Sequence, residues 1–412
     1  MTSMMCKWGL ALLLAGSAVF WVMEPPGSQD LAVGTWIAVI DSPDGMSVEV
    51  PLDVSADGQG YSGVMRVPER GDIPVEDLAL RGGQLTFAWR PGVRLSCTLD
   101  RREDASYAGT CADALGNSGR IQMLPPGITP PTAPTADIGP LAPGDVMLGE
   151  NEYVEFTVGA LPLILSSPHG GALKPDSIPD RTRGYGVGDS DTQELTRLIA
   201  SALQEVTGRG PHVVISRLHR SKLDPNRAVD EAANGNPDSE GAWREYHGFI
   251  ESARQAVEDT WGRGLYLDIH GHGHRTPWVE LGYGLMSSDL NGDSDLDPMS
   301  FTMRALADAT STPIAELVRG PASLGALLEQ RGYRSVPSPG DPGPGSADYF
   351  NGGYSSVRHG SLQAGSIDSI QVEHPKRGVR EPESDRQAYA RVFAEVLVEY
   401  LEQHYGFELV ER

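Results

Sequence analysis

The rhythm of apolar and polar positions changes along this chain and divides it into segments. From about residue 30 to 123, short runs rich in Val, Ile, Thr and aromatics recur: "GTWIAVID", "SVEVPLDVS", "YSGVMRVP", "QLTFAWR", "RLSCTLD" and "GRIQML". Turn-forming clusters such as "SPDG", "ADGQG" and "RGGQ" separate them. Short strands at this spacing predict a small all-β barrel or sandwich over residues 30–123. Residues 124–148 are dense in Pro, Thr and Ala ("LPPGITPPTAPTADIGPLAPGD"), cannot pack a core, and read as an extended linker.

From residue 149 to 412 the texture is different. "DSDTQELTRLIASALQEVTG" has helical apolar periodicity and a Gly stop, and "GAWREYHGFIESARQAVEDTWGRG", "SFTMRALADATS" and "ESDRQAYARVFAEVLVEYLEQHYG" also read as helices. Between them lie the apolar strands "LPLILSSPHGG", "PHVVISRLHR", "LYLDIHGHGH" and "SIDSIQVEHP". Strands alternating with helices predict a layered α/β sheet, in which functional groups gather at the C-terminal strand ends.

At the N-terminus, one Lys precedes an apolar run from Trp8 to Met23, followed by "EPPGSQD". This pattern reads as a signal peptide or an N-terminal anchor over residues 1–24. It implies an exported chain, periplasmic or extracellular, with a means of membrane or cell-surface attachment if the segment is retained. Of the three cysteines, Cys6 lies in that leader, while Cys97 and Cys111 flank the polar loop "RREDAS" symmetrically. They are expected to pair as a disulfide in an oxidising compartment, the alternative being two buried thiols. The formal net charge of −23 over 412 residues argues against a nucleic-acid partner.

The residues suited to chemistry sit at element ends. His169 follows a buried strand with two glycines behind it. Asp268 and His270 lie on one face of their strand, because alternate residues share a side. Asp189 and Asp191 stand at a helix start, where a plain cap is the simpler reading. Two imidazoles and one carboxylate form the ligand set of a catalytic zinc that keeps an open position. Glu373 closes another strand and is a candidate general base. The run "SRLHRSKLDPNR" puts Arg217, Arg220, Lys222 and Arg227 into an acidic protein, which reads either as a solvated face or as an anion clamp aided by Asn226. No "G-x-S-x-G" elbow is present, which disfavours a serine hydrolase. "YFNGGYSSVRHGS" (349–361) reads as a loop able to cover a site, with Tyr354 and His359 as candidate substrate contacts. "DLNGDSDLD" (289–297) lacks the glycine and glutamate of a calcium loop at the required places, so it is read as an acidic surface loop ahead of a calcium site.

"SSPHGG", "DSDTQEL", "SRLHRSKLDPNR", "LDIHGHG" and "IQVEHP" occur in the order seen in the N-formylglutamate amidohydrolase family, which resembles zinc carboxypeptidases and aspartoacylases. The resemblance covers residues 155–405. It implies a mixed-sheet α/β/α, phosphorylase/hydrolase-like domain with one Zn2+ per chain. It implies zinc ligands His169, Asp189 and His270, with Asp191 an open alternative to Asp189. It implies Glu373 as general base, and Asn226 and Arg227 as contacts to a substrate carboxylate with Arg217 or Arg220 helping. In the mechanism that follows, Arg217 and Arg220 are the candidates to stabilise the developing oxyanion, and Tyr354 joins Arg220, Asn226 and Arg227 as a candidate substrate contact. His272 and His274 are then rim residues. The implied substrate is a small molecule or peptide-like amide carrying a carboxylate. The departures are Ala at residue 172, where zinc carboxypeptidases carry an acid, Pro225 in "LDPNR", and the extra histidines of "HGHGH". A carboxypeptidase or poly-γ-glutamate-type hydrolase, or an inactive carboxylate-binding protein, are the competing readings.

Overall fold

The computed structural model describes residues 31–410, apart from 42–46, 57–59, 68–70, 92, 103–104, 115–117, 126–140, 293–295, 297–299 and 363–364. The leader, most of the Pro-rich linker and much of the calcium-like loop therefore lie outside the described residues. Among the described residues, no helix is long and apolar enough to cross a membrane.

Eight antiparallel strands form a closed barrel: β1 (Gly34–Asp41), β2 (Ser47–Ala56), β3 (Tyr61–Val67), β4 (Gly71–Arg81), β5 (Gln84–Trp89), β6 (Leu95–Arg101), β7 (Tyr107–Ala112) and β8 (Ser118–Leu124). Its last strand returns to its first, with Ala38 opposite Met123. Closure removes the exposed sheet edges. Trp36, Leu52, Met65, Leu85, Phe87, Leu99, Tyr107 and Met123 are buried and fill it. The barrel option is thus the observed one. Strand β4 escapes the sequence pattern because Pro74 and four acidic or basic residues interrupt its apolar positions. It also carries a bulge between Glu76 and Ala79, with Asp77 in the left-handed region at φ 55°. Cys97 and Cys111 are cross-strand partners of β6 and β7 and form the expected disulfide. That bond fits an oxidising compartment.

The second region is a mixed eight-stranded sheet with helices on both faces. Its strands are β9 (Val146–Leu148), β10 (Val154–Thr157), β11 (Leu163–Ser167), β12 (His212–Ser216), β13 (Gly264–His272), β14 (Val279–Gly282), β15 (Ser335–Val336) and β16 (Ile367–Pro375). Their spatial order is β15-β14-β16-β13-β11-β12-β10-β9. The four central strands, β16, β13, β11 and β12, run parallel. The helices are α1 (Thr192–Thr207), α2 (Val229–Ala233), α3 (Pro237–Trp261), α4 (Ser287–Asn291), α5 (Arg304–Thr310), α6 (Ile314–Arg319), α7 (Leu324–Gln330), α8 (Tyr354–His359) and α9 (Glu383–Tyr405).

Strand alternation sends side chains to two separate cores. Leu163, Leu165, Leu265, Leu267, Ile269, Ile370 and Val372 pack with α1 and α9. Ile164, Val214 and Tyr266 pack with Trp243, Tyr246 and Phe249 of α3. Asp268 and His270 share the parity of Tyr266, and Glu373 opposes His270 in register. All three therefore rise on the α3 side, at the C-terminal strand ends. Two further elements differ from expectation. Residues 146–148, placed in the linker, form β9 and pair with β10. The segment 349–361, predicted as a loop, contains α8, whose Tyr354, Val357 and His359 are buried.

Candidate metal centre

Three chain segments converge on one carboxylate oxygen. The β11 strand ends at Ser167, and the following turn carries His169 inward, where it is 1 % exposed. Two glycines make that turn feasible. A Cβ at Gly170 would lie 2.6 Å from Thr192 Oγ1, and one at Gly171 would lie 2.1 Å from the Leu218 carbonyl. Strand β13 supplies His270, and the residues before α1 supply Asp189.

The tautomers of both histidines follow from their outer partners. His169 donates from Nε2 to Asp224 Oδ1 at 2.6 Å, and His270 donates from Nε2 to Asp268 Oδ2 at 2.8 Å. Each imidazole therefore turns Nδ1 inward. The His169 and His270 Nδ1 atoms each lie 3.3 Å from the same oxygen, Asp189 Oδ2. Ligands bound to one tetrahedral ion at ~2.0–2.1 Å stand about 3.3–3.4 Å apart. A carboxylate behind each imidazole is the usual outer support of metal-binding histidines. These three residues could hold a metal ion.

The electrostatics agree with a cationic centre. Burial alone would raise the Asp189 carboxyl, but the His169 and His270 imidazoles outweigh it and hold it far below the usual carboxylate range. Burial would lower His270, but Asp268 and Asp189 raise it well above an ordinary imidazole. A proton or a metal cation at Nδ1 satisfies the same field. Glu373 Oε1 lies 3.8 Å from His270 Nδ1, while its buried Oε2 has no hydrogen-bond partner. Burial pushes the Glu373 carboxyl up to about 8.

These groups line a cavity of about 710 Å³ together with Arg220, Asn226, Arg227, Phe350 and Arg380. Asn226 takes the backbone N–H of Ser355 on its side-chain oxygen at 2.8 Å, which aims its amide nitrogen at Gln371 Oε1 at 3.3 Å. Arg220 reaches Asp224 at 2.9 Å and Asp189 at 3.6 Å, and stacks on Tyr185. Arg227 pairs loosely with Glu231 at 3.8 Å.

Three sequence expectations are corrected. Arg217 is not in the cavity lining; its guanidinium donates to the Glu152 carbonyl at 2.7 Å, because β12 ends facing the other way there. Tyr354 packs against Trp243, His247 and Arg358 and does not line the cavity. His359 is buried between His247 and Glu251, each 2.8 Å away. Between the two aspartates the geometry decides for Asp189. Asp191 is in the left-handed region at φ 64° and pairs with Arg386 at 3.1 Å.

Two residues of the site went unrecognised in the sequence. Asp224, enclosed in the basic run, bonds both His169 and Arg220 and carries no local signal of that role. Arg380, 1 % exposed, donates to the carbonyls of His374, Ser190 and His272, and so ties three segments around the site. It explains Gly271, where a Cβ would lie 2.4 Å from the Arg380 guanidinium carbon.

No family model and no curated protein matches the chain. Among solved structures, a gene product of Agrobacterium tumefaciens aligns at 14 % identity over 61 % of this chain and 95 % of its own, with a TM-score of 0.37. A redesigned β-barrel aligns at 9 % identity over 22 % of this chain and 89 % of its own, with a TM-score of 0.18. Likeness at this level carries no argument about activity.

Proposed function

We propose that this chain is an exported zinc-dependent amidohydrolase of the N-formylglutamate amidohydrolase type, on a zinc-carboxypeptidase-like scaffold. Its substrate would be an N-acyl amino acid or peptide-like amide carrying a carboxylate. The observation that carries the reading is the pair of inward-facing Nδ1 atoms, each 3.3 Å from one Asp189 oxygen, at the floor of an open cavity. His169, Asp189 and His270 would hold the ion, leaving a position towards the cavity. Bound there, zinc would polarise an amide carbonyl and lower the pKa of water towards neutrality.

The chain's own groups do the rest. Glu373, a cavity-lining residue whose Oε2 has no hydrogen-bond partner, accepts the proton of the attacking water and returns it to the departing amine. A nearby cation pulls its raised pKa down, so it is ionised when needed. Arg380, with no carboxylate within ion-pair distance among the described residues, keeps a net positive charge beside the reacting carbonyl; Arg220, whose charge is met by Asp224 and Asp189, lines the cavity beside it. Arg227 and Asn226 are disposed to take the substrate carboxylate. The disulfide is consistent with export. The test is zinc content after purification: near one ion or more per wild-type chain, with loss in His270→Ala. Full metal occupancy in that variant refutes the ligand set.

A further inference from the structure

The histidine-rich end of β13 contains more imidazoles than the centre described above uses. We propose that His272, His274 and Glu280 form a second metal centre in the same cavity, for a divalent transition-metal ion of the zinc class.

The three side chains bring one ligand atom each within 4.8 Å of the others. Glu280 Oε1 lies 2.8 Å from His274 Nδ1 and 3.7 Å from His272 Nδ1, values that bracket the roughly 3.3 Å between ligands of one tetrahedral ion. His272 is supported from behind by a backbone carbonyl where the histidines of the first centre have carboxylates. Its Nε2–H donates to the Trp278 carbonyl at 2.9 Å, which leaves Nδ1 as the lone-pair nitrogen turned towards Glu280. The contact at that nitrogen is the His274 backbone N–H at 3.1 Å, which an ion would displace. A Cβ at the adjoining Gly273 would meet no atom within 4 Å.

Glu280 is fully buried, and among the described residues no Arg or Lys pairs with it. Its Oε1 meets His274 Nδ1 at 2.8 Å, where either a proton or a metal ion supplies the positive charge. Its oxygens also accept from Trp278 Nε1 at 3.2 Å and the Phe350 backbone N–H at 2.8 Å, which fix the carboxylate's orientation. A buried carboxylate is otherwise costly unless a positive charge meets it. Imidazole and carboxylate ligands suit zinc, nickel or cobalt more than magnesium or calcium. His272 and His274 line the main cavity, so a position on the ion stays accessible. Glu280 is the cross-strand partner of Glu373, which sets the second centre one strand away from the first.

This inference does not depend on the first centre. The full-length protein, stripped with a chelator and dialysed against zinc, is assayed for bound metal by mass spectrometry. Wild type is expected to hold two zinc ions per chain, His274→Ala one, His169→Ala one, and the double variant none. Glu280→Gln, which keeps the shape, is expected to hold one as well. Matching unfolding temperatures of wild type and His274→Ala in chelator show that the side chain's loss leaves the fold intact. Zinc content unchanged by both His274→Ala and Glu280→Gln overturns the second centre, even if His169→Ala loses an ion. Loss in His274→Ala alone would instead leave the second centre standing and remove the first.

Discussion

Replacing Asp268 by Asn tests the architecture behind the metal ligands. Asp268 is fully buried and accepts from His270 Nε2 at 2.8 Å through one oxygen and from Ser166 through the other. Asparagine has the same shape. Its oxygen can still accept from Nε2, and its nitrogen can donate to Ser166 Oγ, whose own hydrogen can turn to the Tyr266 hydroxyl 2.7 Å away. One hydroxyl hydrogen of the Ser166–Tyr266 pair loses its acceptor, so a loss of about 1–3 kcal/mol in folding stability accompanies the change. What is lost is charge. A hydrogen bond to an ionised partner contributes about 1.5–3 kcal/mol, against about 0.5–1.5 for a neutral one. The difference of roughly 1–1.5 kcal/mol is about tenfold in affinity, within the ~10–100-fold found when outer partners of metal ligands are altered. Zinc affinity is to be measured by competition with a chromophoric chelator, alongside thermal unfolding in the absence of metal. The expected result is a roughly tenfold weaker Kd in protein that still unfolds cooperatively without metal. An affinity within twofold of wild type would refute the view that Asp268 supports His270 as a ligand.

Other expectations follow from the same geometry. Glu373→Gln should retain zinc while lowering kcat by ~10²–10⁴, read by amine release in metal-saturated protein; equal turnover would remove Glu373 as the base. Gly271→Ala places a Cβ 2.4 Å from the Arg380 guanidinium, so urea unfolding should show a loss of about 1–3 kcal/mol, and unchanged stability would show that the clamp is slack. His212 is buried, its Nδ1 accepts the Gly159 backbone N–H at 3.2 Å, and burial holds it down at about 4. The unfolded chain thus binds this proton first, so the contribution is intact above pH 6.5 and falls away through pH 4, by about 3 kcal/mol there. Urea unfolding at pH 7 and pH 4 should show His212→Gln losing less stability than wild type by that amount; identical losses would refute it.

The parts of the site written in local pattern were legible. His169, His270 and Glu373 each close an apolar strand, and strands of a layered α/β sheet deliver their ends to one rim. Asp268 was legible as the same-face neighbour of His270 for the same reason. Asp224 was not, because its partner His169 stands 55 positions away and its own neighbours are cations that suggest a solvated face. Arg380 sits in "KRGVREPE", a stretch that looks like surface, and is buried only because three carbonyls from distant segments converge on it. Arg217 and Arg220 are indistinguishable in sequence; the path of the chain after β12 turns one to Glu152 and the other to Asp189. An all-β barrel or sandwich was legible from its turns, with closure left to the structure, while β4 was hidden by the proline and acidic residues that a bulged strand accommodates.

The central claim is that His169, Asp189 and His270 hold a hydrolytic zinc served by Glu373. Its most direct test is amine release from a panel of N-acyl amino acids and short peptides as zinc is titrated into metal-depleted wild-type protein. The account predicts hydrolysis of at least one carboxylate-bearing amide that rises with zinc and is abolished in His270→Ala. Hydrolysis that is indifferent to zinc, or no hydrolysis of any member of the panel at saturating zinc, would contradict it.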